Sequence, residues 1–517
     1  MGALSKPINR HIIMHAIAAW GHNKPLITFA ILIAEARPNV ILTILTNASM
    51  HAKMHAELKN LPEERLDPIS HRVHIINVGG ETGSLPGLEM DQVASSLITL
   101  YKQSGVVTCL TSGNTVGGPD LPPPSVAIID PFAPYAIAAI RSVASPLAVP
   151  ILLWFTSTAG TATHFVGPEE LGGGPDFVDL IDKETKLSGR PFKDVAPKLI
   201  FPVKGEVIQL PGYPALYDYE LTPQETNMPG HEEVIYAMRK AAYQVEGTIT
   251  ASTSVLEKDA VQAIRSHFQK LGQEWINIAP LSVIPGVQVS TKKDEAIDSF
   301  LGRMEQQFGG RSVLYISFGS VWWPPKVDTL WALLDSLIAE RVPFIMASPS
   351  PFAQVPDDIK QRARESGIGM IVNWAPQEHI LTHSATGWFL THGGWNSTQE
   401  ALVHKVPLIF WPIGADQPLI SALLTLTHEA AFELVEVRTG EHGTKKPYRC
   451  NSDGMSPKFT LQSAKEEFHR VLKSIRGEEG QRVRSNFLQL AEQIEKTWDD
   501  GGEAREQLEF FLGRFVD

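Results

Sequence analysis

The densest group of chemically useful side chains lies in residues 373–418, which hold tryptophans, histidines, a glycine pair, a serine, glutamates and an Asp-Gln pair. Within it, "FLTHGGWNSTQEALVHK" predicts a buried strand, a tight turn at the Gly-Gly pair and a helix that opens near Asn396 or Ser397. The first turn of such a helix has unpaired N–H groups that suit a phosphate. The helix dipole contributes only about 0.3–1 kcal/mol per charge, against roughly 1.5–3 kcal/mol for a charge-assisted hydrogen bond. Direct donors such as His392 and Ser397 must therefore supply most of the binding.

Other side chains in this run fit a base, a ribose and a sugar ring. Glu400 is suited to accept hydrogen bonds from two ribose hydroxyls, and Trp374 offers a flat face on which a base can stack. Asp416 and Gln417, after the strand "VPLIFWP", suit the hydroxyls of a polyol. Each has an ordinary structural alternative: Ser397 and Glu400 as an S-x-x-E capping box, Trp374 as a core residue, and the Asp-Gln pair as a solvated loop.

The first half of the chain contains a candidate proton acceptor. His22, in "AAWGHNKP", follows the first predicted strand, and Asp130, in "VAIIDPFAPY", ends a later one. In a doubly wound sheet both lie on the edge where ligands bind, and an aspartate on one imidazole nitrogen fixes the tautomer of a general base. The chain has 17 histidines, so position alone does not single out His22. His51 and His55 have i, i+4 metal-ligand spacing without an evident third ligand, which favours a solvated helix face.

The elements that must position these residues form two series of alternating strands and helices. "HIIMHAI", "VILTILTN", "VHIINV", "VAIID" and "ILLWFTS" predict buried parallel strands in the first half, and "SVLYISFGS", "VPFIMAS", "GMIVNW" and "VPLIFWP" in the second. We therefore predict an α/β protein with two facing Rossmann-like domains and a cleft for two substrates. The predicted boundaries are 1–285 for the first domain, 286–309 for a linker, 310–499 for the second domain and 500–517 for a last helix. Residues 167–230 are predicted to form an irregular, lid-like insertion, whereas the loop 439–458 receives no role.

Composition excludes several classes of protein. Of 517 residues, 43% are hydrophobic and 20% charged, which is typical of a globular protein, and the net charge of −12 argues against nucleic-acid binding. Two cysteines cannot form a disulfide framework. The apolar run at the N-terminus is interrupted by histidine, which predicts a first strand rather than a signal peptide, and the C-terminal apolar stretch is too short to span a bilayer. These features predict a cytoplasmic protein without membrane insertion.

The window 374–417 resembles the signature box of the family-1 UDP-glycosyltransferases, in the form found in plant secondary-product enzymes. It matches in "WAPQ", "HGGWNST", the following glutamate, "VP", "WP" and "DQ", without a gap. The resemblance implies the GT-B fold, with the acceptor bound by domain 1–285, a UDP-sugar co-substrate bound by domain 310–499, and no cofactor. Gly394 stands where plant members usually have cysteine, which points to a non-plant lineage such as a fungal one.

Carried over position by position, the resemblance implies a complete donor site. Uracil stacks on Trp374 with Gln377 near the base, and Trp395 points to a glucosyl donor. The diphosphate, the ribose and the sugar hydroxyls are assigned to His392, Asn396 and Ser397, to Glu400, and to Asp416 with Gln417. The remaining implied donor residues are Ala375, Gly394, Ser320 in "SFGS", and Thr156 in "WFTSTAG", for which Ser157 or Thr158 is an alternative.

The resemblance also assigns the general base to His22 and its partner to Asp130. A phenol titrates near 10 and imidazole near 6.5, so full proton transfer before attack costs roughly 5 kcal/mol, and deprotonation should be concerted with attack. In-line attack on an α-linked donor gives a β-glycoside. The chain contains no D-x-D triplet, which predicts that the diphosphate is held without a metal.

Aromatic residues near the same edge suggest the acceptor. Trp20, Phe132, Tyr135 and Phe165 suit a flat lipophilic alcohol or phenol, of flavonoid, sterol or hydroxy-lipid type, although core packing explains each equally well. The alternatives left open are a nucleotide-sugar epimerase, a retaining transferase on the same fold, and an inactive UDP-sugar-binding protein.

Overall fold

The computed structural model describes residues 10–80, 86–102, 104–143, 149–226, 231–283, 294–454 and 456–517. The predicted linker 286–309 therefore lies partly outside the described residues. The strands, in chain order, are Arg10–His15 (β1), Val40–Thr46 (β2), Val73–Asn77 (β3), Val106–Thr108 (β4), Thr115–Gly117 (β5), Val126–Ile129 (β6), Ile151–Phe155 (β7), Val207–Ile208 (β8), Leu216–Tyr217 (β9), Gly247–Thr250 (β10), Glu274–Asn277 (β11), Val313–Ser317 (β12), Phe344–Ala347 (β13), Gly369–Val372 (β14), Thr386–Thr391 (β15), Leu408–Phe410 (β16) and Ala431–Glu433 (β17).

The helices lie between and after these strands. They are Trp20–Ala36 (α1), Ala48–Lys59 (α2), Glu63–Ser70 (α3), Pro86–Tyr101 (α4), Pro134–Val143 (α5), Ala159–Val166 (α6), Phe177–Ser188 (α7), Phe192–Leu199 (α8), His231–Ala242 (α9), Ser254–Lys270 (α10), Glu295–Phe308 (α11), Val327–Ala339 (α12), Asp357–Glu365 (α13), Gln377–Thr382 (α14), Trp395–Val403 (α15), Gln417–Ala422 (α16), Gly440–Gly443 (α17), Cys450–Asp453 (α18), Leu461–Ser474 (α19), Glu478–Glu495 (α20) and Glu503–Phe511 (α21).

The first sheet has seven parallel strands in the order β11-β10-β7-β6-β1-β2-β3. Every residue of β2 and β6 is buried, as expected for strands covered by helices on both faces. In the register, His15 of β1 pairs with Leu45 of β2 and Ile129 of β6. Asp130 is therefore at the same edge as the loop that leads from β1 into α1.

The second sheet has six parallel strands in the order β14-β13-β12-β15-β16-β17. Its central strands β12, β13, β15 and β16 are buried along their whole length. The loops after β12, β14, β15 and β16 contain the candidate donor-binding residues of this half. The sequence prediction of two doubly wound sheets is confirmed.

Helix α1 connects the first sheet to the end of the chain. The Phe29 ring stacks on Trp154 at 5.5 Å between ring centroids and contacts Phe511 of α21 at 5.3 Å. Arg10 donates to the carbonyl of Val516 at 2.9 Å. The last helix thus packs on the first sheet, and within the described residues no helix combines the length and apolar character needed to cross a membrane.

The insertion 167–230 is more ordered than its sequence indicates. Its helices α7 and α8 bury Phe177, Ile181 and Val195 in a small apolar cluster of their own. The prediction of an irregular segment is wrong over these two helices. The abundant Gly, Pro and acidic residues obscured the i, i+4 spacing of Phe177 and Ile181, which forms the buried face.

Candidate active site between the two sheets

The His22 imidazole and the Asp130 carboxylate form a close pair at the edge of the first sheet. The Nδ1 atom of His22 lies 2.6 Å from Oδ2 of Asp130, and the His22 side chain retains 21% of its exposure while that of Asp130 is fully buried. The backbone N–H of Phe132 donates to the other oxygen of Asp130 at 2.9 Å. Because an ionised carboxylate only accepts hydrogen bonds, Nδ1 carries the proton and Nε2 is the basic nitrogen.

Electrostatics favour protonation of His22. Burial lowers its pKa, but the negative charges of Asp130 and, more weakly, Asp416 outweigh burial, so the pKa of His22 is raised above its usual value. Asp416 belongs to the second half of the chain. The pKa of His22 is therefore raised in part by a carboxylate on the other side of the interface between the two sheets.

The residues predicted for the acceptor surround the His22–Asp130 pair unevenly. The Phe132 ring is 5.3 Å from the His22 ring, centroid to centroid, whereas half-buried Trp20 packs against the helices of the first sheet. The Tyr135 hydroxyl is 2.7 Å from Nε2 of His15, whose Nδ1 lies 2.9 Å from the carbonyl of Leu45. Since Nδ1 donates to that carbonyl, Tyr135 is the donor to Nε2.

Phe165 lies in a separate aromatic group. Its ring is 5.6 Å from that of Phe201, which in turn packs on Phe177 of the insertion. The structure thus assigns Phe165 to the packing between α6 and the insertion.

On the second sheet, the His392 ring lies against two glycine backbones. A Cβ atom built on Gly319 would be 2.8 Å from Cε1 of His392, and one built on Gly394 would be 2.4 Å from Nε2. Gly319 has a φ of +74°, which also favours glycine. Burial lowers the pKa of His392 to about 3, so this side chain is neutral at pH 7 and offers a hydrogen bond rather than a charge.

The helix after this turn begins earlier than the capping-box alternative requires. Gly394 is the N-cap of α15, so Ser397 lies within the first turn and does not cap the helix through its side chain. Its hydroxyl oxygen instead accepts from Nε2 of Gln377 at 3.1 Å. The capping-box interpretation of Ser397 and Glu400 is wrong, because the N-cap is Gly394, three residues before Ser397.

Trp395 and Asn396 make contacts across the interface. The indole N–H of Trp395 donates to the carbonyl of Ala251 at 2.5 Å. The Asn396 amide donates to the carbonyl of Gly21 at 2.8 Å and accepts from the Ser282 hydroxyl at 2.7 Å. Gly21 immediately precedes His22, so this helix start is fixed directly beside the candidate base.

Glu400 lies at the centre of a buried charged cluster. Its Oε1 accepts from Nζ of Lys24 at 2.5 Å, and its Oε2 accepts from Nε2 of Gln377 at 2.6 Å. Lys24 also donates to Glu378. Burial and the charge of Glu378 raise the pKa of Glu400, while Lys24 acts in the opposite direction. Lys24 therefore stabilises the ionised form of this carboxylate.

The candidate sugar-binding residues also connect the two halves. The Ser157 hydroxyl donates to Oδ2 of Asp416 at 2.8 Å, while Thr158 caps helix α6. Gln417 is buried, and its side-chain oxygen accepts from the backbone N–H groups of Ile413 and Gly414. The alternative of a solvated loop is therefore wrong for Gln417, and Ser157, rather than Thr156, contacts the candidate sugar-binding carboxylate of Asp416.

The remaining donor candidates lie on the loops after β14 and β12. Trp374 is 61% exposed, so the alternative that it is a core residue is wrong. Ala375 is buried beside it, and Ser320 is exposed after the turn at Gly319. The exposed Trp374 ring is available for stacking.

The histidine pair on α2 differs from its prediction. His51 is buried, and its Nε2 lies 3.5 Å from the Cys109 sulfur, so the expectation of a solvated face is wrong for this residue. The His55 ring packs at 4.4 Å from that of His51, centroid to centroid. Across the part of the chain that the structure describes, no group of three or more His, Cys, Asp or Glu side chains is arranged to hold a metal ion.

Sequence reasoning overlooked Lys24 and Ser282. The sequence signal for Lys24 was a single charged residue immediately before the apolar run "PLITFAILIA" and two residues after the candidate base His22. A lysine on a helix buried along most of its length needs a buried anionic partner. For Ser282 the sequence contains no comparable signal.

Comparisons with known proteins identify the family of this arrangement. The family model "UDP-glucoronosyl and UDP-glucosyl transferase" matches residues 232–440. A relative from Hericium erinaceus, UDP-glycosyltransferase eriJ, is 27% identical over 520 residues, covering 96% of this chain and 97% of that protein. Flavonol 3-O-glucosyltransferase from Arabidopsis thaliana is 30% identical over 47% of this chain and 51% of its own length, so that match spans about half of the plant enzyme.

Solved structures show the same fold. The structure of Medicago truncatula UGT71G1 complexed with UDP-glucose aligns with a TM-score of 0.66 at 19% identity, covering 98% of this chain and 99% of that one. Phytolacca americana UGT2, complexed with UDP-2fluoro-glucose and pterostilbene, aligns with the same TM-score, identity and coverage. The predicted GT-B fold is confirmed, and the family prediction with it. The family model, the relatives and the fold together indicate a family-1 UDP-glycosyltransferase, an enzyme of a family that uses a UDP-sugar as co-substrate.

Proposed function

We propose that this enzyme transfers a hexose, most simply glucose, from a UDP-sugar to a hydroxyl of a small lipophilic acceptor, with inversion and without a metal. The proposal rests on the His22–Asp130 pair, which faces Asp416 from across the interface. An epimerase, or a retaining transferase, has no need for a base held in this way. An inactive binding protein would not maintain the pair either.

In the proposed reaction His22 Nε2 accepts the proton of the acceptor hydroxyl as the hydroxyl oxygen attacks the anomeric carbon. The bond between that carbon and the UDP oxygen breaks in the same step, and Asp130 stabilises the imidazolium that forms. Attack from the His22 side, opposite the leaving UDP, inverts the anomeric centre.

Groups on α15 and the preceding turn stabilise the negative charge that develops on the departing UDP. Neutral His392 and the N–H groups of the first helical turn donate to the diphosphate, together with Ser397. The residue roles implied by the signature box are kept: Trp374 stacks on uracil and Glu400 binds the ribose. Asp416, positioned by Ser157, binds sugar hydroxyls.

The acceptor proposal rests on the aromatic and apolar surroundings of the base. Phe132 contacts the His22 ring, and Trp20 and Tyr135 lie on the elements that flank it. One solved structure of similar fold, that of Phytolacca americana UGT2, is complexed with pterostilbene, which is a phenol. Flat phenols are therefore the first acceptors to try.

The test is UDP release from UDP-glucose in EDTA, with and without a panel of flavonoid, simple phenol, sterol and hydroxy-lipid acceptors. We expect release that depends on the acceptor and is unaffected by EDTA. A reaction abolished by EDTA and restored by a divalent cation would contradict the metal-free mechanism. UDP-glucose binding without release for any acceptor would favour the inactive binding protein.

A further inference from the structure

Lys24 reaches from the first half of the chain into the ribose site proposed on the second half. It lies on α1, two residues after His22, and its side chain retains only 7% of its exposure. Its ammonium group contacts Glu378 on α14 and Glu400 on α15, which are 354 and 376 residues away in sequence. A buried lysine between two carboxylates of the other half is a costly arrangement unless every charge is paired.

The contacts leave room for a ribose on Glu400. Lys24 occupies one carboxylate oxygen and Gln377 the other. A carboxylate has about four acceptor sites, so each oxygen keeps one lone pair for a hydroxyl. Lys24 and Gln377 thus fix the carboxylate plane and leave two acceptors free for the vicinal hydroxyls.

Lys24 offsets the repulsion between Glu400 and the carboxylates near it. Glu378 on α14 and Glu57 on α2 are both close enough to disfavour a charge on Glu400, and His404 at the end of α15 contacts Glu378 at 3.3 Å. Lys24 offsets this repulsion, since it contacts both Glu378 and Glu400. Without Lys24, Glu400 would be driven towards its protonated form, which is a poorer partner for a diol.

We propose that Lys24 is a positioning residue that holds Glu400 ionised and oriented for the ribose hydroxyls, so that the donor site is complete only when both halves of the chain contribute. This inference rests on the proposed function, because it takes Glu400 as the ribose-binding residue. It adds that donor recognition depends on a side chain of the acceptor-binding half.

The test compares the binding of UDP with that of 2′-deoxy-UDP by isothermal titration calorimetry. The purified full-length chain is used as wild type and as Lys24→Met, with Lys405→Met as a matched control because Lys405 pairs with Glu495 on the surface. A hydroxyl that meets a charged acceptor contributes about a 10- to 100-fold preference for UDP over the deoxy ligand in the wild type. In Lys24→Met, UDP binding should weaken by about that factor and deoxy-UDP binding by less than about threefold, so that the preference largely disappears.

Removal of Lys24 alone leaves Glu378 and Glu400 without their shared cation, and the repulsion between the two carboxylates can prevent folding. The double variant Lys24→Met, Glu378→Gln removes one positive and one negative charge and keeps the net charge of the cluster. It should bind UDP and deoxy-UDP with nearly equal affinity while its melting temperature stays closer to that of the wild type. This variant tests the inference even if the single variant does not fold.

Three outcomes overturn one claim or both. If the folded variants lose affinity for UDP and for deoxy-UDP by the same factor, Lys24 has a general structural role. The inference then fails, while the proposed function stands. If the wild type binds UDP but does not distinguish it from deoxy-UDP, Glu400 is not the ribose-binding residue. If the wild type does not bind UDP, the proposed donor site fails with it.

Discussion

The carboxyl edges of the two sheets are built differently. At the first edge, His22 and Asp130 come from separate elements 108 residues apart, and the Phe132 ring packs against His22. At the second edge, the donor candidates lie within one short window and hydrogen-bond to one another, as Gln377 does to Ser397 and Glu400. The first edge thus provides one strong polar pair in apolar surroundings, and the second a polar network whose members fix each other.

This difference corresponds to two tasks. A nucleotide-sugar is the same molecule in every turnover, so a preorganised network can match its hydroxyls and phosphates. A lipophilic acceptor offers one reacting hydroxyl, for which a single base in an apolar setting suffices. Substitutions of His22 and Asp130 should therefore change the rate, whereas substitutions of the donor-site residues, and of the first-half residues that hold them, should change donor affinity.

The largest effect is expected from His22→Ala. Loss of the general base should lower kcat by about 10²- to 10⁴-fold and leave the Kd for UDP within about twofold. Steady-state kinetics and calorimetry on the same preparation measure both, with His469→Ala, an exposed histidine on α19, as the control. A variant that transfers sugar at the parent rate would remove His22 from the base role.

Asp130→Asn should have the next largest effect on rate. Loss of a hydrogen bond to a charged partner costs roughly 1.5–3 kcal/mol, or about a 10- to 100-fold fall in kcat. Asp130 raises the pKa of His22, and the base must be unprotonated, so wild-type activity falls as the pH drops through that raised pKa. In the variant this fall should move to lower pH, and a pH–rate profile that keeps its midpoint would contradict the assignment.

At the second edge, Trp374→Ala should weaken UDP binding. Stacking of a base on an aromatic ring contributes about 1–3 kcal/mol, so Kd should rise about 5- to 100-fold while kcat at saturating donor changes little. Since Trp374 is 61% exposed, the melting temperature should stay unchanged. Equal UDP affinity in parent and variant would place uracil elsewhere.

The smallest effect is expected from Ser157→Ala. Its hydrogen bond to Asp416 is worth about 1 kcal/mol, which predicts roughly a fivefold rise in KM for the UDP-sugar with UDP affinity unchanged. Thr158→Ala serves as the comparison, because it removes the cap of α6 and should lower stability by about 1 kcal/mol instead. If the Ser157 variant loses as much affinity for UDP as for UDP-glucose, Ser157 does not act on the sugar.

The two edges also differ in what the sequence could predict. The fold followed from the alternation of strands and helices, and the places of His22 and Asp130 followed from the strands that precede them, since ligands bind at the carboxyl edge of such a sheet. The signature box was recognised by its resemblance to a family. The start of α15 was missed by one or two residues, because glycines allow several turn geometries before a helix. Lys24 and Ser282 could not be placed, because their partners lie in the other half of the chain and no local pattern encodes how two domains meet.

The most direct test of the central claim is the anomeric configuration of the product, determined by proton NMR after transfer from UDP-α-glucose. With the acceptor hydroxyl at His22, on the face opposite the departing UDP, we expect a β-glucoside as the first product formed. An α-glucoside would contradict in-line attack from the His22 side, and with it the proposal that the first edge supplies the base while the second binds the donor.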